Sequence, residues 1–343
     1  ADEQEVTVEY NETAEVAFEN IEKTGEIKVT KTTVGNINVS GITFYLRGTS
    51  DSGREINIPA TTDKDGIAKF DGVPIGTYTI YEDEKTVPTA YLVADPQNVT
   101  VTYAETKEVP IENKEKTGSI TVHKTTEGQK NIEGIKFYLR GTSDSGRAID
   151  IPATTDKDGI AKFDGVPIGT YMVIEDEETV PYGYLVADEK EVKVEYAQTI
   201  DETILNNEQT GTVKVHKKTA DMTNVEGIRF ILSGISDTGR EIRIEATTDK
   251  DGLAKFEGVP VGTYTITEDG STVPYGYLVA DSKQVTVAYA QTVDTDMVNE
   301  KAPDTPNTGV TDNDSDGSKA LCSVAIILAG AAFFMFSRKK KGN

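Results

Sequence analysis

Tryptophan is missing altogether from this sequence of 343 residues, and cysteine and histidine are nearly so, at one and two. The lone Cys322 has no intramolecular partner, so no disulfide can staple the fold. His123 and His216 give zinc binding and histidine-based catalysis almost no material. No nucleophile–histidine–acid set can be assembled, so an enzyme acting on an external substrate finds no support. Without tryptophan, the stacking platforms of a sugar site would fall to tyrosine. An excess of positive charge is missing too. Lys and Arg number 35 against 58 Asp and Glu, a net charge of −23 that would repel nucleic-acid phosphates. No stretch of a repeat holds a sustained helical period, and the links between repeats hold no Gly/Ser tract. There is also no initial Met and no signal peptide, which says nothing of location.

What is present is repetition. Pro152-Ala-Thr-Thr-Asp-Lys-Asp-Gly-Ile-Ala-Lys-Phe-Asp-Gly-Val-Pro-Ile-Gly-Thr-Tyr171 also begins at Pro59, and recurs with small changes from Glu245 to Tyr264. Tyr78, Tyr171 and Tyr264 set a constant period of 93 residues, the size of a whole small domain rather than of a solenoid unit. His123 and His216 share one repeat position, where Thr30 stands in the first copy, as outward-facing strand residues would. The chain is therefore divided into repeats 25–117, 118–210 and 211–300. Residues 1–24 match the end of a repeat and are expected to be the last strand of a truncated preceding one, in the C-terminal part of a longer protein. A motif and spacer follow at 301–319, then an apolar segment and basic tail at 320–343.

Within a repeat, alternation marks Ile27-Val29-Lys31, Ile42-Phe44-Leu46, Ile56-Ile58, Tyr78-Ile80-Glu82, Val99 to Tyr103 and Val109-Ile111-Asn113. A polar loop is expected over Gly48–Arg54 and a tight turn at Asp63-Lys-Asp-Gly66. About seven short strands with frequent turns predict an all-β fold of tandem antiparallel β-sandwiches, immunoglobulin-like or prealbumin-like. No metal site is expected. The Asp63 turn lacks the further ligands of a calcium loop, and Asp312–Gly317 is followed at the twelfth position by Ser323 instead of Glu. The links Lys114–Thr117 and Asn207–Thr210 are too short to give much freedom, which predicts a stiff, extended rod.

Three polar residues per repeat fall on the apolar side of their strands. Lys31 follows Ile27 and Val29 in phase, as Lys124 and Lys217 do in their copies. Glu82, Glu175 and Glu268 follow Tyr78, Tyr171 and Tyr264 in the same way. Asn113, Asn206 and Asn299 close the last strand. Any one of them could be an ordinary residue at a sheet rim. Together they put a Lys, a Glu and an Asn into one core, where charge is costly unless neutralised or consumed.

With Lys at the end of the first strand, Thr62-Asp-Lys-Asp-Gly66, Phe70, Gly76-Thr-Tyr78, the Glu segment Tyr171–Glu175, Pro181-Tyr-Gly-Tyr184 and the terminal Asn, each repeat resembles a known family. It is similar to the B-type repeat of collagen-binding surface proteins and the SpaA-like pilin domain of Gram-positive bacteria, over Gly25–Asn299. The resemblance implies an intramolecular isopeptide bond joining Lys31 to Asn113, Lys124 to Asn206 and Lys217 to Asn299, with Glu82, Glu175 and Glu268 as single-turnover catalysts and no cofactor. A protonated Glu would donate to the Asn amide oxygen and then shuttle a proton to the departing ammonia. Two departures stand out: Asp83, Asp176 and Asp269 where the family often has Thr, and Pro88-Thr-Ala-Tyr91 in the first repeat.

Thr305-Pro306-Asn307-Thr308-Gly309 resembles a Leu-Pro-x-Thr-Gly sorting motif with Thr305 in the first place. A polar spacer, a mostly apolar run from Ala320 to Phe336 and Arg338-Lys-Lys-Lys341 follow, as a C-terminal transmembrane helix with a cytoplasmic basic end would. The resemblance implies that sortase cuts after Thr308 and joins it to peptidoglycan, so that the membrane is met only through the segment removed. The alternative is a permanent anchor. The expected location is the cell wall of a Gram-positive bacterium, and the expected function a cross-linked stalk projecting an N-terminal region. The rivals are an adhesin that binds a host matrix protein or glycan through its repeated loops, and a pilin subunit. A shaft pilin's Tyr-Pro-Lys-Asn motif is not found.

Overall fold

A computed structural model describes residues 2–303 apart from 131, 221, 222 and 224. The first repeat holds seven strands: β1 (Thr24–Thr33), β2 (Thr43–Ser50), β3 (Glu55–Thr61), β4 (Ile67–Pro74), β5 (Gly76–Glu82), β6 (Gln97–Val101) and β7 (Thr106–Asn113). They form two sheets, ordered β4-β1-β7 and β3-β2-β5-β6, and the other two repeats reproduce both. Each repeat is thus a small all-β sandwich, three in tandem.

The alternation seen in the sequence is the packing. Along β1 the even-numbered neighbours are partly exposed while Ile27, Val29 and Lys31 are buried. The two inner faces meet through Phe44, Leu46, Phe70, Tyr78 and Ile80. Tyr78 is buried but not orphaned, since its hydroxyl donates to the Pro74 carbonyl at 2.8 Å. The second residue of β1 is Gly25, where a side chain would stand 2.3 Å from the Thr102 carbonyl.

Two expectations need adjusting. The region Gly48–Arg54 is only partly loop, because β2 continues to Ser50 and pairs with both β3 and β5. And one ladder is not antiparallel: β1 runs parallel to β7, in register from Glu26–Thr106 to Thr33–Asn113, and its counterparts do likewise. A parallel pair needs a long crossover, and here the crossover is the whole domain, so alternation within single strands could not reveal it. Residues 2–23 form no strand.

The Asp63 turn is local backbone chemistry. The Asp63 carboxylate accepts from the Asp65 and Ile67 amides at 2.9 Å, which holds it below the usual carboxylate range. Gly66 then takes a positive φ of 75°, and its carbonyl receives the Lys31 amide at 2.7 Å. The phrase that marks the repeat therefore fixes the backbone of its buried lysine. Among the described residues no group of acidic, His or Cys side chains could hold a metal, and no helix is long and apolar enough to cross a membrane.

Candidate functional site

Lys31 and Asn113 come from adjacent strands of one sheet, and Glu82 comes from the facing sheet. The parallel register pairs Lys31 with Ile111 and Thr33 with Asn113. The lysine therefore lies one pleat behind the asparagine on the same face, a gap of about 6–7 Å along the strand that its long side chain can span. Glu82, at the end of β5, enters opposite Phe44.

The contacts repeat almost unchanged in the three copies. Lys Nζ lies 3.6, 3.5 and 3.3 Å from Glu Oε1 for Lys31–Glu82, Lys124–Glu175 and Lys217–Glu268, with side-chain exposure of 1% or less throughout. Lys31 Nζ also donates to the carbonyls of Thr32 and Ile111 at 3.0 and 3.2 Å. The asparagine Nδ2 donates to Glu Oε2 at 2.6 Å in every copy. It donates as well to the carbonyl of Leu92, Leu185 or Leu278 at 2.7–2.8 Å. Glu Oε2 accepts a further backbone amide, from Ala94, Ala187 or Ala280. Among the described residues, seven buried side-chain polar atoms lack a hydrogen-bond partner. Six of them are Oε1 of Glu82, Glu175 and Glu268 and Oδ1 of Asn113, Asn206 and Asn299. Oε1 nonetheless faces Lys Nζ at ion-pair distance, whereas Oδ1 has no donor within hydrogen-bond distance.

Burial lowers the pKa of Lys31, Lys124 and Lys217, against the opposing pull of the paired glutamate. That favours the neutral, nucleophilic amine. The amide is turned differently from the sequence-based expectation. Leu92 O and Glu82 Oε2 both accept hydrogen bonds and converge on one side of Asn113, so only its nitrogen can face them. The glutamate thus sits on the group that would leave, rather than on the amide oxygen.

Sequence reading missed the backbone partners, Leu92 O and Ala94 N, because main-chain groups have no residue signature. It also left Asp83 unexplained. Asp83 caps the short 3-10 turn Glu84–Thr86 through the Lys85 amide, and Asp176 and Asp269 cap theirs. The Asp is turned out as the Glu is turned in. His123 and His216 lie on the outer face beside Asp201 and Asp294. Thr305 to Gly309 and the segment after them lie outside the described residues.

A pH prediction follows from the lowered lysine pKa. In Glu175→Ala, Lys124 would be buried without its carboxylate. Its folded pKa lies below the unfolded value, so the unfolded chain binds more protons between the two. Stability of the middle repeat should therefore rise with pH through that interval, up to the ordinary lysine range. Melting curves of the variant between neutral and alkaline pH check this. A flat profile would mean Lys124 is not held unpaired in the core.

Comparison with known proteins agrees with this architecture. The family described as SpaA, prealbumin-like fold domain, matches residues 25–115, 118–209 and 211–301. No curated protein matches the chain. Among solved structures, the Bacillus anthracis TIE protein superposes with a TM-score of 0.58 at 21% identity over 81% of this chain. The chain spans about half of that protein, 51%. A streptococcal ancillary pilin aligns at 17% identity and a TM-score of 0.34, over 82% of this chain and 100% of its own. BcpA, the major pilin subunit of Bacillus cereus, aligns at 18% and 0.39, over 82% and 100%.

Proposed function

The chain belongs to the SpaA prealbumin-like domain family over all three repeats, and from that premise we propose that it is a covalently braced stalk. Each repeat closes its own Lys–Asn isopeptide bond, and the chain is displayed on the wall of a Gram-positive bacterium. The observation that carries the proposal is the threefold recurrence of buried Lys, Glu and Asn side chains in which Glu Oε1 faces Lys Nζ and Oε2 accepts from Asn Nδ2.

The reaction needs no co-reactant. In its neutral form Lys31 Nζ attacks the Asn113 side-chain carbonyl carbon, forming the C–N bond. Glu82 takes a proton from Nζ and gives one to Nδ2, which leaves as ammonia, so the carboxyl ends as it began. Oε1 toward the lysine and Oε2 on the leaving nitrogen suit that relay. It occurs once per site, so the chain is not a turnover enzyme.

The links between repeats support a stalk. Leu92 N donates to Lys114 O, and Lys116 N to Ala90 O, tying the first link to the repeat before it. Ile168 N donates to Lys116 O, and Arg147 pairs with Glu115 at 2.7 Å, tying the same link to the repeat after it. A link bonded on both sides transmits orientation.

Anchoring rests on Thr305–Gly309 with the apolar run and basic tail behind it. Sortase and peptidoglycan are the partners this implies. In Thr308→Ala, the protein should move from the wall fraction to the membrane or medium. Unchanged wall linkage would favour the permanent anchor. Saturable binding of the intact chain to a matrix protein or glycan would replace the stalk with the adhesin reading.

A further inference from the structure

The two joints between repeats share one hub and differ around it. In each, the linker glutamate is buried against the next repeat: Glu115 on Ser145 and Arg147, Glu208 on Thr238 and Arg240. The equivalent Glu22 holds Ser52 and Arg54 at the start of the first repeat.

Around the hub the fit is different. Gly183 of the second repeat faces the third so closely that a Cβ there would lie 2.7 Å from Thr238 Cγ2 and 3.5 Å from Val261 Cγ2. At the first joint the corresponding residues are Ala90 and Ser145. The loops differ in backbone too: Gly183 has a positive φ of 91° and Ala90 does not. Polar contacts differ as well. Asn38 reaches the Ser145 carbonyl across the first joint. Across the second, Lys130 donates to the Gly239 carbonyl, and Gly128 packs on Arg240. The positions equivalent to Gly128 and Lys130 are Gly35 and Ile37, and Gly35 meets only Ile37.

We propose that the second joint is a keyed interface: the Pro181–Tyr184 loop is size-matched through Gly183 to Thr238 of the third repeat, and a side chain at 183 would unseat it. The pair Gly183–Thr238 sets how firmly the third repeat seats on the second. This matching is independent of whether the isopeptide bonds form.

The chain itself supplies a control. Gly183 and Gly276 have the same φ of 91°, but Gly276 has nothing within 4 Å of its would-be Cβ. An Ala at 276 therefore carries the backbone strain alone, and an Ala at 183 carries strain and collision. With Cys322→Ser as background, spin labels at Lys162→Cys and Lys255→Cys report the distance between the second and third repeats. Gly183→Ala should broaden that distribution about twofold or more, because an overpacked joint populates other arrangements. Gly276→Ala should leave it unchanged, and adding Thr238→Ser to Gly183→Ala should restore it. Broadening by Gly276→Ala as large as by Gly183→Ala, or no rescue by Thr238→Ser, would overturn the proposal. Should Gly183→Ala fail to fold, Thr238→Ser alone makes the same test with the same labels, because it removes the methyl that Gly183 faces and should broaden the distribution. A Thr238→Ser chain no broader than wild type would overturn the proposal equally.

Discussion

The purified chain should weigh less than its sequence by three molecules of ammonia, one for each Lys–Asn pair. Glu175→Ala should restore one of the three and leave the other two sites intact, since each triad lies within its own repeat. A tryptic digest should then yield free Lys124 from the variant and a branched peptide joining the Lys124 and Asn206 segments from wild type. The stability effect should be large. By analogy with a disulfide closing a loop of this length, losing the bond costs roughly 4–5 kcal/mol. The variant also leaves a lysine uncompensated in a site of zero side-chain exposure. For a domain of this size, that lowers the melting temperature of the middle repeat by about 20 °C or more. A wild-type mass equal to the sequence mass would make the triads buried ion pairs, with Lys and Glu kept for structure alone.

The parts legible in the sequence were those that depend on residue phase within a strand. Parity put Lys31, Glu82 and Asn113 on the inner face, and all three are there. It also separated Glu82 from Asp83, which the capping of the 3-10 turn then explained. Parity cannot say which strands are neighbours. The parallel pairing of β1 with β7 brings Lys31 to Asn113, and it is a long-range choice of topology. Nor can parity show main-chain acceptors. Leu92 O and Ala94 N orient the amide and the carboxylate, yet any residue type would offer the same groups. The link glutamates were read only as part of links too short to give much freedom. Their burial depends on Ser145 and Arg147 for Glu115 and on Thr238 and Arg240 for Glu208, about thirty residues further on.

The parallel terminal strands also decide how a repeat would carry load. A pull enters at the start of β1 and leaves at the end of β7, at Asn113. With the bond in place, force runs from Gly25 to Lys31, crosses to Asn113 and passes into the link. The residues between 31 and 113 are bypassed, and at about 3.3–3.6 Å each they amount to roughly 280 Å of chain that cannot be drawn out. Without the bond, the same pull shears the β1–β7 ladder and, once that yields, releases this length. Stretching single molecules held at both ends should therefore show no step from the three repeats of wild type before the tether breaks. Glu175→Ala should add one step of roughly 250–300 Å, and removing Glu82, Glu175 and Glu268 together should give three. Shear resistance of the ladder alone would raise the force of each step but leave the steps present in wild type. Three steps in the unaltered chain would therefore show that hydrogen bonds, and not covalent links, carry the load.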